Sequence, residues 1–168
     1  MKKIAMITAR GGSKRIPGKN IKEFCGKPII AYSIEAALKS GAFDTVMVST
    51  DDEKIADIAK NYGAEVPFLR SEKTSGDFAT TADVIMEVLD EYEKRGIHFD
   101  IGCCIYPTAP FITPDRLMEG MTKLAESDAD TLLPVVSFSY PPQRAFIIED
   151  GLLKYQNEEY ARKRSQEL

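Results

Sequence analysis

Short apolar runs alternate along this chain with segments whose apolar residues recur every three or four positions. Ile4–Thr8 is a run of strand length, and the apolar spacing from Pro28 to about Ser40 predicts an amphipathic helix. Proline at the start of that segment and Gly41 directly after it are typical helix boundaries. This alternation indicates a mostly parallel sheet covered by helices.

The same pattern continues over most of the 168 residues. Further strands are expected at 45–49, 65–69, 100–106, 130–138 and from 145 to about 148, and further helices at about 53–62, 80–95 and 114–127. The run 100–106 is almost continuously apolar, which predicts a central strand buried on both faces, with Cys103 and Cys104 as core residues. Gly151 marks a turn that fits the tip of a hairpin. The length predicts a single domain over 1–168.

The residues that follow the first strand carry the strongest chemical signal. The chain has a formal net charge of −4, yet four cations lie within ten residues of this loop: Arg10, Lys14, Arg15 and Lys19. Gly11 and Gly12 would let backbone amides approach an anion closely, and open α/β sheets bind ligands at this position. The loop therefore predicts a polyphosphate site, with a solvated turn as the alternative.

Two common phosphate-binding motifs do not fit this loop. Five residues separate Gly12 from Gly18-Lys19 where a Walker A motif has four, and Asn20 replaces the metal-binding Ser or Thr. The dinucleotide fingerprint G-x-G-x-x-G is also absent. These differences disfavour a P-loop NTPase and a dinucleotide-dependent dehydrogenase.

The order of motifs along the chain resembles the CMP-sialic acid synthetase (acylneuraminate cytidylyltransferase) family, and most closely its pseudaminic acid branch. The resemblance covers essentially the whole chain and lies in 9–20, 46–52, 68–70, 104–110, 143–144 and 164–166. It implies an α/β fold with three α/β/α layers and a mostly parallel Rossmann-like sheet of the nucleotide-diphosphosugar transferase type. It also implies transfer of CMP from CTP to a nonulosonic acid.

The resemblance assigns roles to individual residues. Arg10 and Lys19 are expected to be catalytic, and the nucleotide is expected to contact Gly11, Gly12, Ser13, Asn20, Arg70, Thr80 and Thr81. The sugar is assigned to Tyr106, Gln143, Arg144 and Arg164. Thr80 is equally well explained as a helix N-cap. Tyr106 replaces the glutamine of the sialic acid enzymes, and packing in the core is its alternative role.

The resemblance also sets expectations for cofactors and partners. A magnesium ion is implied, with its Asp-x-Asp-type ligands beyond Leu168, because family members continue past this point and the chain matches their N-terminal two-thirds. Asp51 and Asp52 are interpreted as a helix cap rather than a metal pair. A homodimer is implied for the full-length protein.

Composition limits the other partners. The acidic balance disfavours nucleic acid, and no apolar run approaches the roughly 20 residues of a membrane-spanning helix. Three cysteines without zinc-ligand spacing fit the cytoplasm. Two functional alternatives stay open: a sialic or legionaminic acid cytidylyltransferase, and a non-catalytic CTP-binding fragment.

Overall fold

The computed structural model describes residues 1–14 and 16–164. These residues form two compact units, which are divided after Asp130. Arg15, Ser165 and Gln166, which the sequence patterns include, lie outside the described residues. The single domain expected from the sequence stays a prediction. No helix in the described part of the chain is long and apolar enough to span a membrane.

The first unit contains a parallel three-stranded sheet with the strand order β4-β1-β5. Its strands are β1 (Lys3–Thr8), β2 (Glu23–Phe24), β3 (Lys27–Pro28), β4 (Thr45–Ser49) and β5 (Ile101–Ile105), of which β2 and β3 form a separate antiparallel pair. Its helices are α1 (Ile29–Ser40), α2 (Glu53–Asn61), α3 (Glu72–Ser75), α4 (Thr81–Glu93) and α5 (Pro114–Ala125). The predicted alternation of strands and helices is confirmed.

Helices cover both faces of this sheet because the side chains of β1 alternate between them. Ala5 and Ile7 pack with buried residues of α1, α2 and α5, including Ile34. Ile4 and Met6 face the other way, onto Val88 and Tyr92 of α4. The three-layer α/β/α arrangement is thereby confirmed.

Two predictions for the sheet were wrong in detail. Among the described residues β1 is the central strand and β5 lies at the edge, so Cys104 is exposed and Cys103 only partly buried. The strand expected at 65–69 is reduced to an isolated bridge between Met47 and Glu65. Pro67 has no backbone N–H, so it cannot donate to a continued ladder.

The second unit contains an antiparallel hairpin of β6 (Phe146–Glu149) and β7 (Leu152–Tyr155). Asp150 and Gly151 both adopt positive φ, as a tight two-residue hairpin turn requires, so the turn predicted at Gly151 is confirmed. The strand expected at 130–138 does not form: the segment is irregular and exposed, and Pro134 interrupts its apolar run.

Candidate functional site

A cleft of about 230 Å³ lies at the carboxyl ends of β1 and β5, within the first unit. It is lined by many of the residues that the sequence assigned to nucleotide and sugar: Arg10, Lys19, Asn20, Arg70, Thr80, Thr81 and Tyr106. Because the carboxyl edge of a parallel sheet is where open α/β proteins bind ligands, the cleft is the candidate site.

The loop after β1 returns to its own start, which brings its charged residues together. Gly18 adopts a left-handed conformation (φ 62°) and begins a short 3-10 turn from Lys19 to Ile21. The Asn20 side-chain amide donates to the carbonyl of Arg10 at 2.9 Å. This hydrogen bond holds the two ends of the loop against each other, so that Arg10, Lys19 and Asn20 reach one cleft.

Asn20 also presents a buried hydrogen-bond acceptor. The residue is only 2% exposed, and its Oδ1 atom has no hydrogen-bond partner among the described residues. An unsatisfied buried acceptor is costly, and a ligand donor would relieve that cost. Asn20 therefore fits a contact with a bound molecule.

The sequence assigned Gly11 to the nucleotide, but the structure shows that its amide already has a hydrogen-bond partner. The Gly11 N–H donates to Asp51 Oδ1 at 2.8 Å, and a Cβ atom at this position would lie 2.7 Å from Asp52 Oδ2. The glycine is therefore required for close packing against the turn that follows β4. Neither Gly12 nor Ser13 is among the residues that line the cleft, although Ser13 Oγ is buried without a hydrogen-bond partner in the described chain.

The two predicted catalytic cations differ in their surroundings. Arg10 Nη1 donates to Asp77 Oδ1 at 3.0 Å and to the carbonyl of Gly76 at 3.1 Å. Lys19 forms no ion pair with any described carboxylate, while lining the same cleft. The Arg10 guanidinium is thus fixed in direction, and the Lys19 ammonium is available to an anion.

Arg70 contributes a buried cation. The residue is 8% exposed, and its Nε and Nη2 atoms donate to the hydroxyl and the carbonyl of Ser49 at 3.0 and 2.6 Å. Burial lowers the pKa of its guanidinium, which Asp51 and Glu87 oppose and the Arg10 charge reinforces. Arginine stays protonated at neutral pH, so the site holds a desolvated positive charge without a paired carboxylate among the described residues. Such a charge favours an anionic ligand.

Thr80 and Thr81 line the cleft at the start of α4. Thr80 forms a capping box with Asp83: its hydroxyl accepts from the Asp83 N–H at 3.2 Å and donates to the Asp83 carboxylate at 2.6 Å. Hydrogen bonding to the Thr80 side chain and backbone lowers the pKa of Asp83. The cap interpretation of Thr80 is therefore confirmed, and its nucleotide contact stays a prediction.

Tyr106 lies at the carboxyl end of β5 and is 62% exposed, so it is not a core residue. Its carbonyl accepts from the Ser33 hydroxyl at 2.8 Å, which fixes the backbone while the ring remains accessible in the cleft. Sequence reasoning missed the other lining residues, whose polar side chains are Thr8, Thr74, Asp77 and Thr108. The available signal was that Thr8 ends β1 and that Thr108 lies in the turn shortly after β5.

The remaining sugar-binding candidates belong to the second unit. Gln143 and Arg144 lie in a short 3-10 turn, Pro142–Arg144, where the Gln143 carbonyl accepts from the Asn157 amide at 3.2 Å. The Arg144 guanidinium lies 5.8 Å from the centre of the Tyr140 ring. Arg164 is exposed near the end of the described chain. Their roles toward the sugar stay predictions.

The described residues do not fit a protein-held magnesium site. They contain no group of three or more metal-ligating side chains, and the carboxylates closest to the loop are already engaged. Asp51 accepts from Gly11, Asp52 caps α2 by accepting from the Ile55 N–H, and Asp77 pairs with cations. The cap interpretation of Asp52 is confirmed.

The fold and the cleft together define an α/β protein with a cationic cleft at the carboxyl edge of its sheet, and comparisons with known proteins identify the class more closely. The family model described as cytidylyltransferase matches residues 4–162. Pseudaminic acid cytidylyltransferase of Campylobacter jejuni is 42% identical over 100% of this chain and 73% of its own length. CMP-N,N'-diacetyllegionaminic acid synthase of Legionella pneumophila is 42% identical over 70% of this chain and 50% of its own.

Solved structures give the same result. A CMP:2-keto-3-deoxy-manno-octonic acid synthetase complexed with CTP aligns with a TM-score of 0.65 and 26% identity, over 77% of this chain and 49% of that chain. This chain thus spans about half the length of that structure. The chain belongs to the cytidylyltransferase family and is a nucleotidyltransferase, which confirms the resemblance seen in the sequence.

Proposed function

We propose that this protein transfers CMP from CTP to the anomeric hydroxyl of a nonulosonic acid and releases pyrophosphate, with pseudaminic acid as the preferred sugar. The observation that carries the proposal is the convergence of Arg10, Lys19 and buried Arg70 on one cleft at the carboxyl edge of a parallel sheet. The full-length match to a pseudaminic acid cytidylyltransferase supports the choice of sugar.

In the proposed reaction the anomeric oxygen forms a bond to the α-phosphorus of CTP and releases its proton to solvent water. The bond between that phosphorus and the oxygen that bridges to the β-phosphate breaks, and pyrophosphate leaves with the bonding electrons. Negative charge therefore grows on the phosphoryl oxygens and on the leaving group. Lys19 acts as a mobile point charge on this region, and Arg10 as an oriented guanidinium.

The other lining residues bind and orient the reactants. Asn20 Oδ1 accepts a hydrogen bond from an amino or hydroxyl group of the nucleotide, because it is a buried acceptor that still lacks a donor. Arg70 adds a desolvated positive charge toward the base or the phosphates. The exposed Tyr106 ring offers a stacking surface and a hydroxyl donor to the sugar.

Magnesium and self-association belong to the proposal as expectations. Magnesium is proposed as the cofactor that the resemblance implies; the described residues contain no group of three or more side chains that could hold it. Gln143, Arg144 and Arg164 are proposed for the sugar, and the protein is proposed to act in the cytoplasm as a homodimer.

The test is the rate of pyrophosphate release from CTP in the presence of magnesium and one acidic sugar at a time. We expect the highest kcat/KM with pseudaminic acid and lower values with legionaminic and sialic acids, since contacts worth about 1–3 kcal/mol each separate such substrates. A preference for another of these sugars would contradict the substrate assignment. If the protein binds CTP but releases no pyrophosphate with any of these sugars, it is better described as a nucleotide-binding module.

A further inference from the structure

Asp77 joins two separate segments of chain at the cleft. One carboxylate oxygen accepts from Arg10 Nη1 at 3.0 Å, and the other pairs with Lys14. Arg10 and Lys14 belong to the loop after β1, whereas Asp77 lies between α3 and α4. A single carboxylate therefore links the cationic loop to the segment that forms another wall of the cleft.

The way in which Arg10 is held leaves part of its guanidinium available. Nη1 donates both hydrogen bonds, to Asp77 and to the Gly76 carbonyl. Nη2 and Nε have no hydrogen-bond acceptor among the residues that the structure describes. A planar guanidinium fixed through one nitrogen is therefore oriented while its other donors can still bind an anion.

The segment that carries Asp77 is itself anchored at its other end. Glu87 of α4 accepts from the N–H of Ser71 at 2.8 Å and from its hydroxyl at 3.1 Å, and it also accepts from the Thr74 hydroxyl. Because residues 71–75 are attached to α4 in this way, Asp77 is a fixed point against which the loop can be positioned.

We propose that Asp77 is a positioning residue for the nucleotide: it holds Arg10 and Lys14 in the geometry that receives the triphosphate, and it remains paired with them in the complex. This inference rests on the proposed function. Its physical basis is preorganisation. Two long cationic side chains that are already ordered lose less conformational freedom when the anion binds.

A different role for Asp77 would change CTP affinity in the opposite direction when the residue is replaced. If Asp77 instead occupied the place of a phosphate group and had to be displaced, its removal would tighten CTP binding. Removal of a negative charge beside an anion site would also tighten CTP binding, because it removes a Coulomb repulsion. Of these three effects, only the positioning role predicts weaker binding after the carboxylate is lost.

The experiment measures the equilibrium dissociation constant for CTP together with kcat and KM in Asp77→Ala, Asp77→Asn and Asp77→Glu. We expect Asp77→Ala to weaken CTP binding about tenfold, as loss of order in two side chains implies. Asp77→Asn should fall between Asp77→Ala and the wild type, because it keeps an acceptor for Arg10. Asp77→Glu should recover most of the affinity, since it restores a carboxylate to both cations.

Glu119→Ala is a matched control. Glu119 of α5 also shares one carboxylate between two cations, Arg116 at 2.6 Å and Lys123 at 2.7 Å, and its side chain is 40% exposed against 41% for Asp77. It does not line the cleft. We expect Glu119→Ala to leave CTP affinity at the wild-type value.

Unchanged or tighter CTP binding in both Asp77→Ala and Asp77→Asn would overturn the positioning role. Thermal melting of each variant shows that it is folded, and Asp77→Asn serves as the reference if Asp77→Ala is unstable. Failure of the wild type to bind CTP would remove the proposed function itself, and the positioning role with it. A functional wild type with unaffected Asp77 variants would remove the positioning role alone.

Discussion

Lys19 reaches the cleft because the left-handed Gly18 turns the loop back toward β1. We expect Lys19→Ala to lower turnover by about two to three orders of magnitude, since removal of one donor from a developing charge has an effect of this size. The measurement is the rate of pyrophosphate release at saturating CTP and sugar.

Two further variants make this result specific. Lys19→Arg keeps the charge and should retain more activity than Lys19→Ala. Lys123→Ala removes an exposed lysine of α5 that pairs with Glu119, and its turnover should equal that of the wild type. A wild-type rate for Lys19→Ala would exclude this lysine from the mechanism.

At the residue scale, the sequence predicted the cations of the site better than their partners. Arg10 and Lys19 stand out because they belong to the cationic loop that follows a buried strand, and Arg70 because it follows an apolar run. The amide of Gly11 could not be assigned in the same way. Its acceptor, Asp51, lies 40 positions further on and meets it only when β1 and β4 pair. The pairing of Asp77 with Arg10 could not be predicted for the same reason, because the two residues are 67 positions apart.

At the scale of elements, the N-termini of α4 and α5 allow a controlled test of capping. Thr80 and Thr113 each accept a hydrogen bond from the N–H three residues on, at 3.2 and 3.3 Å, but only Thr80 lines the cleft. We expect Thr80→Ala and Thr113→Ala each to lower the free energy of unfolding by about 1 kcal/mol. Denaturant titration measures both.

The comparison also tests the nucleotide contact predicted for Thr80. A rise in the KM for CTP with Thr80→Ala, and none with Thr113→Ala, would support that contact. If Thr113→Ala lowers the free energy of unfolding and Thr80→Ala does not, the result would contradict the capping box seen at α4.

Elements with strong periodicity and standard caps were predictable, and those that depend on distant pairing were not. Pro28, Gly41 and Thr80 mark helix ends by local chemistry, so α1 and α4 lie within two residues of their expected bounds. The apolar runs at 65–69 and 130–138 are suited to strands, but each contains a proline. Whether such a run joins a sheet depends on a neighbouring strand that local pattern does not reveal.

At the scale of the whole molecule, several paired carboxylates give stability a common dependence on pH. Hydrogen bonds and ion pairs lower the pKa values of Glu35, Asp77, Asp83, Glu91 and Glu119. For Glu87, burial opposes the effect, but hydrogen bonds from Thr74 and Ser71 outweigh it and lower the pKa.

A pKa that is lower in the folded state contributes stability that is present above the unfolded value and is lost as the pH falls through the folded value. The ordinary values are 3.8 for Asp and 4.5 for Glu. We therefore expect the thermal midpoint to fall progressively as the pH decreases from about 5 through these values. Differential scanning calorimetry across this range measures it.

Glu87→Gln is the informative variant in this series, because it removes one titrating carboxylate and keeps an acceptor for Ser71 and Thr74. Its midpoint should fall less steeply with acid than that of the wild type. A midpoint that is constant or rises on acidification would contradict the pKa directions inferred from the ion pairs.

The central claim is that the cleft at the carboxyl edge of the sheet binds the triphosphate of CTP. A crystal structure of the protein with CTP bound tests it most directly. We expect phosphate oxygens within hydrogen-bond distance of both Arg10 and Lys19, and a donor of the nucleotide on Asn20 Oδ1. CTP bound outside this cleft, or with its phosphates remote from both cations, would contradict the account.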